Sequence, residues 1–267
     1  MKIGDIKKNI RIGLETVFGL LGVEAHLATK SDKNDRILFD KNMLSSFYNK
    51  NMRIKLYYEG LKRANVEWTD NFSKQCRFYS LQQIVEYVMG KELDGEFAEC
   101  GCWKGHSAFI ISKILSENNY KNLFHIFDSF SGGLSDKMSE DKNARYQLSE
   151  EQIESEAKIF ASTEDEVRNT LSEFAFVKLY KGWIPERFNE VQSRKFSFVH
   201  IDVDLYQPTL KSLEFFYPRL LTGGCIVIDD YGLTQFPGCK KAVDIFLSKN
   251  RHEMFYEIPV GGCFIIK

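Results

Sequence analysis

The chain has 267 residues, 43% apolar and 27% charged, with a formal net charge of −1. It is long enough to bury a full core, and its near-neutral balance argues against nucleic acid as a partner. No apolar run reaches bilayer length, so the expectation is a cytoplasmic protein without stable membrane insertion.

Near the start, Thr16 to Val23 is apolar but short, with Asp5 and Glu15 before it and no small-x-small cleavage site after it. It reads as a docking helix or a homo-oligomer contact. Lys30 to Arg36 is a solvated charge run that reads as a linker. Residues 1–70 are expected to form a helical extension, serving as a lid or oligomer contact, and 71–267 the main domain. The spacing predicts helices over Asn51 to Arg63 and Cys76 to Met89, the second with Phe78, Leu81, Ile84, Val85 and Val88 on one face.

Strand and helix then alternate. Strands are expected at Glu96 to Cys100, Leu123 to Phe127, Phe176 to Tyr180, Phe196 to Asp202 and Cys225 to Asp229. Helices are expected at Ser107 to Leu115, around Val167 to Leu171, at Leu210 to Leu220 and at Lys240 to Leu247. This is the signature of a doubly wound parallel α/β sheet. Met254 to Ile258 and Cys263 to Ile266 are joined too tightly for a helical crossover, so that pair must be antiparallel. Ser131 to Asp165 interrupts the alternation with a polar excursion that reads as a substrate loop. The six cysteines show no CxxC spacing and read as reduced, mostly buried thiols.

Chemistry concentrates at the strand ends. Glu99-Cys100-Gly101 opens a glycine-bearing turn that leads into a helix, with Gly101 and Gly105 giving the backbone its freedom and Ser107 a candidate cap. Asp128 ends the second strand, where an acid can accept hydrogen bonds from both hydroxyls of a ribose. Two further apolar runs end in paired acids, Asp202 and Asp204 in one, Asp229 and Asp230 in the other. Four carboxylates on one rim repel unless a cation neutralises them, which points to a divalent metal. Asp202 and Asp204 share a face if their strand continues, whereas Asp229 and Asp230 reach one ion only if the chain bends, which Gly232 eases. His200 is a rival base, read instead as a core histidine.

Glu99-x-Gly101, Asp128-Ser129-Phe130-x-Gly132, Lys181-Gly182-Trp183, His200-Ile201-Asp202-x-Asp204-Leu205-Tyr206-x-x-Thr209, Tyr217-Pro218-x-Leu220-x-x-Gly223-Gly224 and Asp229-Asp230-Tyr231-Gly232 occur in this order. From about Cys76 onward the chain thereby resembles the macrocin O-methyltransferase family. The resemblance implies a Rossmann-like class I methyltransferase fold: seven strands, mostly parallel with the last antiparallel, and helices on both faces. It implies transfer of a methyl group from S-adenosylmethionine to a sugar hydroxyl, with magnesium. The acceptor would be a sugar-containing small molecule or glycan, such as a natural-product precursor. By position, Asp202, Asp229 and Asp230 would hold the metal and Asp204 would be the general base. Glu99, Gly101 and Ser107 would line the methionine end of the cofactor and Asp128 its ribose, with Ser129, Gly182, Trp183 and Asp202 also on the cofactor. Lys181, Trp183 and Tyr206 are candidates for shaping the acceptor pocket. A nicotinamide-dependent oxidoreductase is disfavoured by the missing GxGxxG and by acids with no role in hydride transfer. A non-catalytic assembly partner is disfavoured by the intact acids.

Overall fold

The computed structural model describes residues 52–142 and 158–267. The Thr16 to Val23 run, the Lys30 to Arg36 linker and the middle of the Ser131 to Asp165 excursion lie outside them. Helices α1 (Met52–Arg63) and α2 (Phe72–Met89) come first, followed by β1 (Glu96–Cys100), α3 (His106–Glu117), β2 (Phe124–Asp128), α4 (Glu164–Thr170) and β3 (Val177–Lys181). Then come β4 (Phe196–Ile201), α5 (Tyr206–Phe216), β5 (Leu220–Ile228), α6 (Pro237–Leu247), β6 (Met254–Glu257) and β7 (Cys263–Ile266).

The sheet has seven strands in the order β3-β2-β1-β4-β5-β7-β6. The first five are mutually parallel, and β7 runs antiparallel to both β5 and β6. This is the class I methyltransferase sheet. Strand alternation divides the core in two. Phe97, Phe198 and Val227 point to one face, where α1, α2 and α3 pack through Tyr57, Leu61, Phe78, Leu81, Val85 and Ile110. Ala98, Val199, Ile201 and Ile226 point to the other, against Phe216, Tyr217, Val243 and Phe246. All five residues of the predicted α2 face are buried. All six cysteines are free, and five are buried. Among the described residues, no helix is long and apolar enough to cross a membrane.

Several bounds differ from the sequence reading. α5 begins at Tyr206 and ends at Phe216, not Leu210 to Leu220, and α6 begins at Pro237, not Lys240. Pro208 and Pro237 lie in the first turn of their helices, where the backbone N–H has no intrahelical partner to lose. β5 begins at Leu220, not Cys225, and passes through Gly223-Gly224; Gly223 has φ 82° and the β4–β5 register shifts nearby. β4 ends at Ile201.

Candidate active site

The carboxyl ends of the central strands form a continuous rim. Backbone pairing runs one residue past each strand: Gly101 N–H donates to Phe127 O, Asp202 N–H to Cys100 O, Asp229 N–H to Ile201 O and Gly182 N–H to Asp128 O. This extension sets Gly101, Asp202 and Asp229 side by side. At Gly101 φ is +77°, and an added Cβ would lie 1.9 Å from the Asp202 carbonyl oxygen. The glycine turn and the first acid are therefore in direct backbone contact, which only glycine permits.

Asp202, Asp229 and Asp230 each offer a carboxylate oxygen, and these atoms lie within 4.8 Å of one another. The chain bends at Asp229-Asp230, and Leu233 N–H closes a turn onto Asp230 O that contains Gly232 (φ 83°). The bend lets neighbours that would diverge in a strand converge. Burial pushes the Asp202 carboxyl well above its ordinary range, and the charges of Asp229 and Asp230 push it further. Asp230 is raised in the same way by burial, then by Asp204 and Asp229. Such a cluster takes up protons or a cation, and its all-oxygen donor set suits a hard divalent ion. The residues fit the implied metal.

Asp204 does not continue the strand. It sits in a left-handed conformation (φ 60°), and its backbone N–H donates to Asp230 Oδ2 at 2.9 Å. The N-cap position of α5 is Leu205, and the first N–H of that helix, Tyr206, donates to Asp141 Oδ1 at 2.7 Å. Asp141 also receives Met138 N–H at 2.9 Å, and Gly238 of α6 leaves no room for a Cβ beside it. This excursion residue was not singled out from sequence, because its partner lies 65 positions away.

An open cleft runs along the rim, with about 600 Å³ of space including the solvent at its mouth. Gly101, Asp128, Ser129, Trp183, Asp202 and Asp204 line it, joined by Trp103, Phe160 and Pro208. Asp128 Oδ2 accepts from Cys102 and Trp103 N–H at 2.8 and 3.1 Å, and its Oδ1 from Phe130 N–H at 3.0 Å. The acid thus braces the glycine turn while facing the cleft. The Asp128 carboxylate beside apolar walls at Phe127 and Leu134 fits a nucleoside cofactor.

Three predicted cofactor residues do not line the cleft. Ser107 is buried at the second position of α3, whose N-cap is Gly105 in a left-handed conformation, so Ser107 is not the cap. Gly182 packs under Arg187. Glu99 is fully buried and accepts a 2.7 Å hydrogen bond from His200 Nδ1. Burial opposes charge on His200, but Glu99, with Asp202 and Asp229 beyond it, outweighs burial and raises the imidazole above its usual range. His200 is fully buried and does not reach the acceptor as a base.

Two cations on α2 were not foreseen. Arg77 Nε donates to Asp229 Oδ2 at 3.1 Å. Lys74 Nζ donates to Thr69 Oγ1 at 2.6 Å and lies 5.3 and 5.9 Å from the Phe78 and Trp103 ring centres. Burial lowers the Lys74 ammonium to about 8, with Asp202 and Asp229 partly offsetting it. Both residues are one helical turn apart, on the side of α2 that covers the sheet face carrying Asp202 and Asp229.

The demethyldecarbamoylnovobiocin O-methyltransferase of Streptomyces niveus is 26% identical over 209 residues, spanning 74% of this chain and 76% of that protein. The mycinamicin III 3''-O-methyltransferase of Micromonospora griseorubida is 26% identical over 187 residues, spanning 68% and 71%. The solved O-methyltransferase NovP shares the fold, with a TM-score of 0.60 at 24% identity over 78% of this chain and 88% of that one. The family model for macrocin-O-methyltransferase (TylF) matches residues 33–264. Seven strands in this order, with an acid-ringed cleft at their carboxyl ends, agree with that match, and the chain belongs to the macrocin-O-methyltransferase (TylF) family and is an O-methyltransferase.

Proposed function

We propose that this protein methylates a hydroxyl of a sugar on a glycosylated small molecule, using S-adenosylmethionine and a divalent cation such as magnesium. One observation carries the reading: Asp202, Asp229 and Asp230 converge, Asp204 is tied to Asp230, and Asp202 and Asp204 line the cleft. The relatives supply the acceptor class, since their names specify O-methyltransferases acting on novobiocin and mycinamicin precursors.

When bound, S-adenosylmethionine would supply the methyl group and leave as S-adenosylhomocysteine, and a cation held by Asp202, Asp229 and Asp230 would make a nearby hydroxyl more acidic. Asp128 holds the ribose, and the Gly101 turn brings backbone against the cofactor. Trp183, at the cleft wall and 38% exposed, offers an aromatic surface for the sugar ring. Asp204 receives the hydroxyl proton on its carboxylate. An alcohol about as weakly acidic as water and an aspartate near ~3.9 differ by roughly 12 units, or about 16 kcal/mol, so Asp204 alone does not ionise the acceptor beforehand. The proton leaves as the methyl arrives, with the rim acids and Asp204 acting on one oxygen. Fixing that oxygen in line with the donor is the remaining task of the cleft walls.

The test is a methyl-transfer assay on sugar-bearing acceptors with and without chelator, paired with calorimetry of S-adenosylhomocysteine and magnesium. Turnover that is lost with chelator and restored by magnesium supports the reading. Cofactor binding with turnover indifferent to chelator removes the cation from it, and absence of cofactor binding removes the whole.

A further inference from the structure

Arg77 is placed oddly for a surface cation. Its side chain is only 16% exposed, its Nε donates to Asp229 Oδ2 at 3.1 Å, and Asp229 is itself 10% exposed. Arg77 Nη1 also donates to Ser73 Oγ at 3.2 Å, and Ser73 Oγ donates to the Val260 carbonyl at 2.8 Å. The guanidinium is thus held between its own helix, the end of β5 and the turn joining β6 to β7. Among the described residues it makes the single ion pair to the acidic triad. A guanidinium does not shed its proton at any pH at which proteins fold, so this positive charge is permanent.

A fixed cation on one of three converging carboxylates does two opposed things. Without metal it offsets the repulsion among them and keeps Asp229 in place. With metal it repels the incoming ion and occupies an oxygen that the ion would otherwise take. We propose that Arg77 is a resident counter-cation of the metal centre, which preserves the acidic rim in the ion-free protein and keeps the divalent ion weakly held and exchangeable. The proposal rests on reading Asp202, Asp229 and Asp230 as metal ligands. It differs from a purely structural role for Arg77 in one respect: removing the charge tightens metal binding even as it weakens the ion-free fold.

The experiment is a manganese titration of the full chain, followed by electron paramagnetic resonance of free Mn²⁺, with melting temperatures recorded in parallel. Wild type, Arg77→Met, Arg77→Gln and Arg77→Lys are compared at neutral pH. Arg77→Met and Arg77→Gln are expected to bind Mn²⁺ at least about tenfold more tightly than wild type, and Arg77→Lys to stay near wild type. Without metal, Arg77→Met melts lower, and saturating Mn²⁺ raises its melting temperature by more degrees than it raises that of wild type. Gln retains a donor toward Asp229, so it remains informative if Met disturbs the rim. Unchanged or weaker Mn²⁺ binding in a folded neutral variant overturns the proposal while leaving the metal centre intact. Absence of Mn²⁺ binding by all four proteins at millimolar ion overturns the centre and the proposal together.

Discussion

Glu99 and His200 face each other across β1 and β4 in register, joined by a 2.7 Å hydrogen bond, and neither is exposed to solvent. Glu99 Oε2 and His200 Nε2 have no hydrogen-bond partner among the described residues. The pair lies directly beneath the rim, two residues before Gly101 and Asp202. Removing one member strands the other. Glu99→Ala is expected to cost about 3–5 kcal/mol in urea unfolding, and Glu99→Leu with His200→Leu together less than Glu99→Ala alone. Costs that simply add would show that the two do not act as a pair.

Asp204→Asn keeps the shape of the turn and its backbone link to Asp230. The expected result is unchanged S-adenosylhomocysteine affinity with kcat reduced by about 10²–10⁴. Calorimetry and single-turnover kinetics separate the two, and wild-type turnover would exclude Asp204 as the proton acceptor.

Asp230→Asn relieves like-charge repulsion on a buried carboxylate but retains an acceptor for Asp204 N–H. Its melting temperature is expected to rise in chelator, while the magnesium-induced increase shrinks or vanishes. A variant less stable than wild type in chelator would show that the uncharged rim is not the relaxed one.

Gly101→Ala pairs a positive φ with a Cβ 1.9 Å from the Asp202 carbonyl oxygen. Because the Cβ is fixed by its own backbone and the oxygen belongs to a main-chain carbonyl, nothing can swing aside. A loss of roughly 3 kcal/mol or more in stability is expected, with cofactor affinity falling in any folded fraction. Wild-type stability by urea titration would mean the turn and β4 are more loosely joined than this contact requires.

His106 sets a pH dependence. Its Nε2 lies 3.0 Å from the Tyr57 carbonyl, so Nε2 carries the hydrogen of a neutral ring stacked on Phe78. Burial, then the nearby Lys74 charge, lowers its pKa well below the usual 6.5. The unfolded chain therefore binds a proton that the folded chain does not, and stability falls as pH drops below about 6.5. At pH 5.5 the loss from this residue alone is about 1.4 kcal/mol. His106→Gln keeps a donor for Tyr57 and should flatten that part of the pH profile in urea titrations. An unaltered slope would assign the dependence elsewhere, with His125, lowered chiefly by burial, the next residue to substitute.

The order of strands and helices is legible because β1, β2 and β4 are buried almost end to end and are mostly apolar, with Glu99, His125, Ser197 and His200 as buried polar interruptions, whereas β3 alternates with exposed lysines. Acids closing two such runs marked the rim before any coordinates did. The bend that brings Asp229 and Asp230 together was stated as a condition from sequence, and Gly232 beside it provides the turn. The left-handed turn at Asp204 was hidden, since a non-glycine residue gives no local sign that its backbone will leave the strand. Arg77 was hidden for another reason: it reaches Asp229 from 152 residues away, and its own helix shows only an ordinary polar position. Long-range pairing of this kind leaves no periodicity to read.

The described flanks of the Ser131 to Asp165 excursion are both fastened to the domain. Asp141 anchors one side to the start of α5 beside Gly238, and the Trp103 indole holds the other through the Ile159 carbonyl at 3.0 Å. An exchange of this excursion with that of a relative therefore has to keep Asp141 and the Ile159 carbonyl position if it is to keep both ties to the rim.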